Sequence, residues 1–136
     1  MSQRIRIAIA ILAGGAALWG AAERPRQPDL HWQAPTQAAA QLNPLANQPQ
    51  AEMGGRKLFR RLCSSCHGPA GAGIGQAPNL QSFDTQVQTD GTLFWKITNG
   101  NLDRGMPSFA NLPALERWQL VLHLRHLEQP AKNPGY

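Results

Sequence analysis

Apolar positions recur with a helical period in three stretches of the chain. In "QAEMGGRKLFRRLCSSCH", residues 50–67, Gly55, Leu58, Phe59 and Leu62 fall on one face, and Arg56, Lys57, Arg60 and Arg61 fall largely on the other. Glu52 stands four residues before Arg56, placed to pair with it, while Arg56/Arg60 and Lys57/Arg61 are like-charged pairs that cost about 0.2–0.5 kcal/mol each. That cationic face is either a solvated helix surface or a docking patch. A second helix is predicted over "DGTLFWKITNG", with Thr89 or Asp90 capping its start and Gly100 ending it. Leu93, Phe94 and Ile97 share its apolar side, with Trp95 beside them. The third, "PALERWQLVLHLRHLEQP", is the clearest: Pro113 suits a first helical position, Pro130 follows the end, and Leu115, Trp118, Val121, Leu122 and Leu124 form a broad stripe.

Between these helices lie "HGPAGAGIGQAPNL" and "NLDRGMPSFANL", whose glycines and prolines argue against helix. No segment keeps a strand alternation, so the fold class is all-α with a large share of loop. A domain of about 80 residues with three modest helices buries little apolar area. Its loops have no evident core, and a large apolar cofactor at the centre would supply one.

The organisation reads in four parts. Residues 1–22 start with Arg4 and Arg6, continue as an apolar run from Ile7 to Trp19, and end in small residues. This is the pattern of a cleaved export signal or of an uncleaved N-terminal membrane anchor through residues 5–22. Either would place the protein in the periplasm, soluble or held at the outer face of the cytoplasmic membrane. Residues 23–49, with five prolines among Ala and Gln, read as an extended lead-in without a core, containing at most a helical turn or two in "TQAAAQL" and two stray aromatic rings, His31 and Trp32. Residues 50–130 form the folded domain and 131–136 a tail. The formal charge of +5 falls to +3 once Arg4 and Arg6 are removed. With no basic tract interleaved with aromatics, a nucleic-acid partner is not expected.

Both cysteines lie in "LCSSCHGPAG". A two-cysteine chain has no disulfide framework. Four readings of Cys63 and Cys66 remain: a redox dithiol, half of a zinc site, a single disulfide, or two covalent anchors of a haem. A dithiol belongs at the start of a helix after a strand, and this pair ends a helix. Zinc would need two more ligands from His31, His67, His123 and His126. Cys-x-x-Cys-His reads as haem attachment. Cysteines three apart on a helical turn face the same way, and His67 follows at once to reach the iron from that side. The distal ligand is then sought among the methionines, since thioether opposite imidazole raises the potential. Met53 precedes the motif on the first helix. Met106, in "RGMPSF", sits in a glycine–proline loop suited to hold a thioether over the open face. His123, His126 or an open position are the alternatives.

Taken together, "GRKLFRRLCSSCHG", "APNL" and "DGTLFWKITNG…GMPSF" resemble the class I cytochromes c, in their short bacterial monohaem form, over about residues 50–129. The resemblance implies three to four helices wrapped around one covalent haem c. It implies that Gly55 and Phe59 pack the first helix on the last, with Trp118 as aromatic partner, and that the Pro78 carbonyl accepts a hydrogen bond from His67. Only 39 positions separate His67 from Met106, so the long propionate-side loop of larger members is missing. Trp95 is a candidate propionate contact. The expected function is single-electron transfer between redox proteins such as a periplasmic dehydrogenase or terminal oxidase, with no catalysis by the domain itself. The alternatives are a haem-based ligand sensor or small peroxidase, and a tethered cytochrome subunit of a dehydrogenase or oxidase complex.

Overall fold

The computed structural model describes residues 31–127. The proposed leader or anchor, residues 23–30 and the C-terminal tail lie outside them. Six α-helical segments follow in order: α1 Thr36–Ala39, α2 Glu52–Leu62, α3 Ser64–His67, α4 Phe83–Gln86, α5 Asp90–Asn99 and α6 Ala114–His126. Among the described residues the only β pairing is an isolated bridge between Asn101 and Met106. The all-α expectation holds. No described helix is long and apolar enough to cross a membrane.

The three long helices are the three periodic stretches. On α2, Gly55, Leu58 and Phe59 are buried at i, i+3 and i+4, and Arg56, Lys57, Arg60 and Arg61 are exposed. Thr89 caps α5: its hydroxyl accepts the backbone N–H of Thr92 at 3.1 Å. Asp90, the other cap candidate, instead forms an ion pair of 2.7 Å with Arg125 on α6. Pro113 is the cap residue of α6 rather than its first helical residue. α6 is the spine, with every residue from Leu120 to Leu124 buried. A helix buried all round needs partners on several sides, and α2, α5 and the segment before α2 provide them. Leu115, placed by its period in the apolar stripe, is 58% exposed, in the first turn before the packed stretch begins at Trp118.

The α2–α6 crossing is set by a missing side chain. A Cβ on Gly55 would overlap the Gln119 carbonyl oxygen and lie 3.0 Å from the Cβ of His123. Backbone atoms cannot turn aside as a side chain can. Gly54, one residue earlier, faces only the Gln119 side-chain amide. Gly55→Ala is expected to destabilise by about 2–3 kcal/mol, the scale of overpacking a tight core. Gly54→Ala should cost far less, because the amide swings away and alanine favours helix by about 1 kcal/mol. Denaturant unfolding of the two variants checks the contrast.

Two contacts at this crossing differ from the sequence reading. Glu52 does not turn to Arg56: its carboxylate meets Nδ1 of buried His123 at 2.8 Å. The His123 ring packs on Phe59 with centroids 5.1 Å apart, and Trp118, implied by resemblance as the aromatic partner of that contact, stacks on Phe94 of α5 at 4.0 Å. The cause is register. Trp118 and His123 are five residues apart, about 140° around a helix of 3.6 residues per turn, so they serve different neighbours.

The segment before α2 is not a coreless lead-in. From Trp32 to Leu45 it runs as a strap over α5 and α6. The Trp32 indole donates to the Gly100 carbonyl at 2.7 Å, and Thr89 donates to the Ala39 carbonyl at 2.6 Å. Buried Asn43 donates to the Trp118 carbonyl at 3.1 Å, and its own oxygen accepts the Leu45 N–H at 2.9 Å. Leu45 joins the hydrophobic core. Proline-rich composition hid this packing because polar anchors, rather than a periodic apolar face, hold the strap down.

Candidate haem site

The chain leaves α2 at Cys63, whose φ of −116° breaks the helix, and winds one further turn as α3. The Cys66 and His67 amides both return to the Cys63 carbonyl, at 3.2 and 2.9 Å. That turn carries Cys63, Cys66 and His67 as a unit. Ser64 anchors it to α2 by donating to the Arg60 carbonyl at 2.6 Å. Gly68, at φ +78°, then reverses the chain. The glycine loop folds back on the same turn: Gly73 N–H bonds the His67 carbonyl at 2.8 Å and Ile74 N–H the Cys66 carbonyl at 3.0 Å.

This return brings Pro78 to the imidazole. His67 Nδ1 lies 3.1 Å from the Pro78 carbonyl oxygen. A carbonyl accepts only, so Nδ1 carries the proton and donates, and Nε2 keeps its lone pair. Burial holds the His67 pKa below its usual value, against the raising effect of the Pro78 bond. The imidazole is therefore neutral near pH 7, the form that binds a metal. Burial, with the neighbouring Cys66 second, pushes the Cys63 thiol up to about 11. An environment that disfavours a thiolate is compatible with an uncharged thioether.

Met106 is carried elsewhere, on the loop between α5 and α6. Asn101 and Met106 exchange both backbone hydrogen bonds, at 2.8 and 2.9 Å, and close a six-residue turn over the short 3₁₀ segment Leu102–Arg104. Past Met106 the loop is fastened to α5: Ser108 donates to the Thr98 carbonyl at 2.7 Å and Phe109 N–H to the Ile97 carbonyl at 3.1 Å. Arg117 reaches back from α6 to the Thr98 hydroxyl at 2.6 Å. Trp95 is half-buried on α5.

The rival chemistries find no support in this geometry. Both cysteines are free thiols. Among the described residues no strand precedes the pair, and no group of three or more His, Cys, Asp and Glu side chains is placed to hold a metal ion. His123 is committed to Glu52, and His126 Nδ1 lies 2.8 Å from the Leu122 carbonyl of its own helix. The residues present fit a covalent haem: two thiols on one turn, and beside them a neutral imidazole with its far nitrogen oriented and unprotonated.

A small helical domain with Cys-x-x-Cys-His on the turn that closes its first long helix is a cytochrome c domain of class I. Residues 50–124 match the family described as cytochrome c oxidase, cbb3-type, subunit III, and the chain belongs to that family. No curated protein and no solved structure matches it. Membership carries a haem-based electron-transfer role and covalent haem c as the cofactor. The element of the fold least legible in the sequence is the strap. Its signal was the pair His31–Trp32, two bulky rings in an otherwise bland segment.

Proposed function

We propose that this protein is a monohaem electron carrier in which Cys63 and Cys66 bind the haem as thioethers and His67 and Met106 are its axial ligands. The observation that carries the reading is the His67–Pro78 hydrogen bond on the same turn as the two thiols. It fixes the tautomer and ring direction of the imidazole before any metal is bound, as outer partners of ligating histidines commonly do. When bound, the haem supplies a one-electron couple at its iron. The chain's own work is to hold the ligand atoms still, so that little rearrangement accompanies a change of charge, and to keep water from the iron. Trp95, half-buried on α5, is the candidate propionate contact in this proposal.

The exposed Arg56, Lys57, Arg60 and Arg61 lie on the helix that ends at Cys63. They would steer an acidic redox partner to the haem edge, raising encounter rate more than affinity. A second reading is favoured by the family itself: the domain serves as a tethered cytochrome subunit of an oxidase complex. Export to the periplasm, soluble or anchored through residues 5–22, suits both.

Denaturing electrophoresis followed by haem staining, with intact mass, tests the cofactor assignment. The band should stain, and the mass should exceed that of the polypeptide by one haem. Haem that extracts into acid–acetone would reject attachment.

A further inference from the structure

We infer that Trp32 is a positioning residue for Met106: the strap holds the methionine loop closed from outside the minimal domain. This deepens the proposed assignment of Met106 as axial ligand and rests on it.

At Gly100, α5 stops and the methionine loop starts. Gly100 has φ +66°, and a Cβ there would lie 2.5 Å from the carbonyl carbon and oxygen of Pro107 and 2.6 Å from the Ser108 nitrogen. The two limbs of the loop therefore touch at this residue, and Met106 is the residue before Pro107. Because α5 has ended, the Gly100 carbonyl has no helical partner. It accepts its hydrogen bond from the Trp32 indole instead, 68 positions away in sequence, at 2.7 Å. The indole ring is itself held: the Lys96 ammonium lies 4.5 Å from its centroid, an attraction strongest for tryptophan. Behind Trp32 the strap is seated at three further places. Thr89 holds the Ala39 carbonyl and Asn43 the Trp118 carbonyl. At Gly91 a Cβ would overlap the Ala38 carbonyl oxygen, so the strap lies directly on α5. The other end of the loop is fixed by Ser108 and Phe109 on α5. Trp32 completes the frame at the end where the loop begins.

An opening of the loop that moved Gly100 would have to break the indole bond, so the strap should lower the rate at which the distal side is exposed. Three readouts on the haem-loaded full-length protein test this. In the unmutated protein, the Trp32 indole N–H and the Asn101 and Met106 amides should exchange hydrogen through one shared opening, with one denaturant dependence. Trp32→Phe removes the donor and keeps an aromatic ring, though a smaller one, beneath Lys96. It should speed exchange at Asn101 and Met106 about fivefold, the ratio set by the net value of one hydrogen bond. Carbon monoxide binding to the reduced protein should accelerate by a similar factor. Asn43→Ala, at the far end of the strap, should lower the unfolding midpoint and leave both rates unchanged.

Independent opening of the indole and the two amides overturns the brace. So does a Trp32→Phe protein that loses global stability with unaltered loop exchange. If loop exchange responds but carbon monoxide binds wild type and Met106→Ala equally fast, the failure lies in the ligand assignment, and Trp32 no longer positions a ligand.

Discussion

Replacing Cys63 and Cys66 together by alanine is expected to leave essentially no covalent haem on the exported chain. Both thiols stand on the turn that follows α2: the Cys63 amide donates to the Phe59 carbonyl, and the Cys66 amide donates to the Cys63 carbonyl. No other cysteine exists in the chain to substitute. The single variants should each keep one link but differ in stability. Cys63 is half-buried and packs against the hydrophobic core, whereas Cys66 is exposed. Cys63→Ala therefore loses packing as well as a thioether, at about 1 kcal/mol beyond the loss in Cys66→Ala. Haem-stain intensity per polypeptide measures the first effect and thermal unfolding the second. A double variant that matures with haem retained through denaturation would end the attachment reading.

Met106→Ala should convert the iron from low-spin with both axial positions filled to high-spin or water-ligated. The loop itself should survive, because Asn101 and Met106 hold each other through backbone groups that alanine keeps. The change thus isolates the thioether. A soft sulfur ligand favours the reduced metal, so the potential should fall, by on the order of a tenth of a volt or more within the about 0.8 V that axial ligands span. Reduced Met106→Ala should bind carbon monoxide readily and wild type poorly. Rapid stoichiometric binding by wild type, unchanged in the variant, would reject methionine ligation and promote the ligand-sensor or peroxidase reading.

α2 and α5 were legible because each buries one periodic face, and α6 was legible from its dense apolar run and from Pro113 and Pro130 at its ends. The attachment motif was legible because its chemistry is local: three residues of one turn do the work. Contacts between distant elements were hidden. Nothing in the period of α2 tells Glu52 to prefer His123 over Arg56, since that choice depends on how closely Gly55 lets the two helices approach. The strap was hidden for the same reason. Trp32, Asn43 and Thr89 act through single hydrogen bonds to backbone carbonyls of other elements, and such bonds leave no repeat in a sequence.

On the anchored reading, the strap also limits the length of a leash. Were residues 23–49 free, a domain anchored through the apolar run could range about 90 Å from its membrane attachment, at up to ~3.4 Å per residue. Trp32 is already fastened to Gly100, so no more than the chain between position 22 and Trp32 can add reach, at most about 30 Å at the same rise. On the anchored reading, this confines the domain to a shell about as deep as a bilayer is thick. The volume it searches shrinks by more than an order of magnitude, and the effective concentration of any redox partner fixed in the same membrane rises to match. A carrier bound by such a leash hands electrons to its immediate neighbours and to little else.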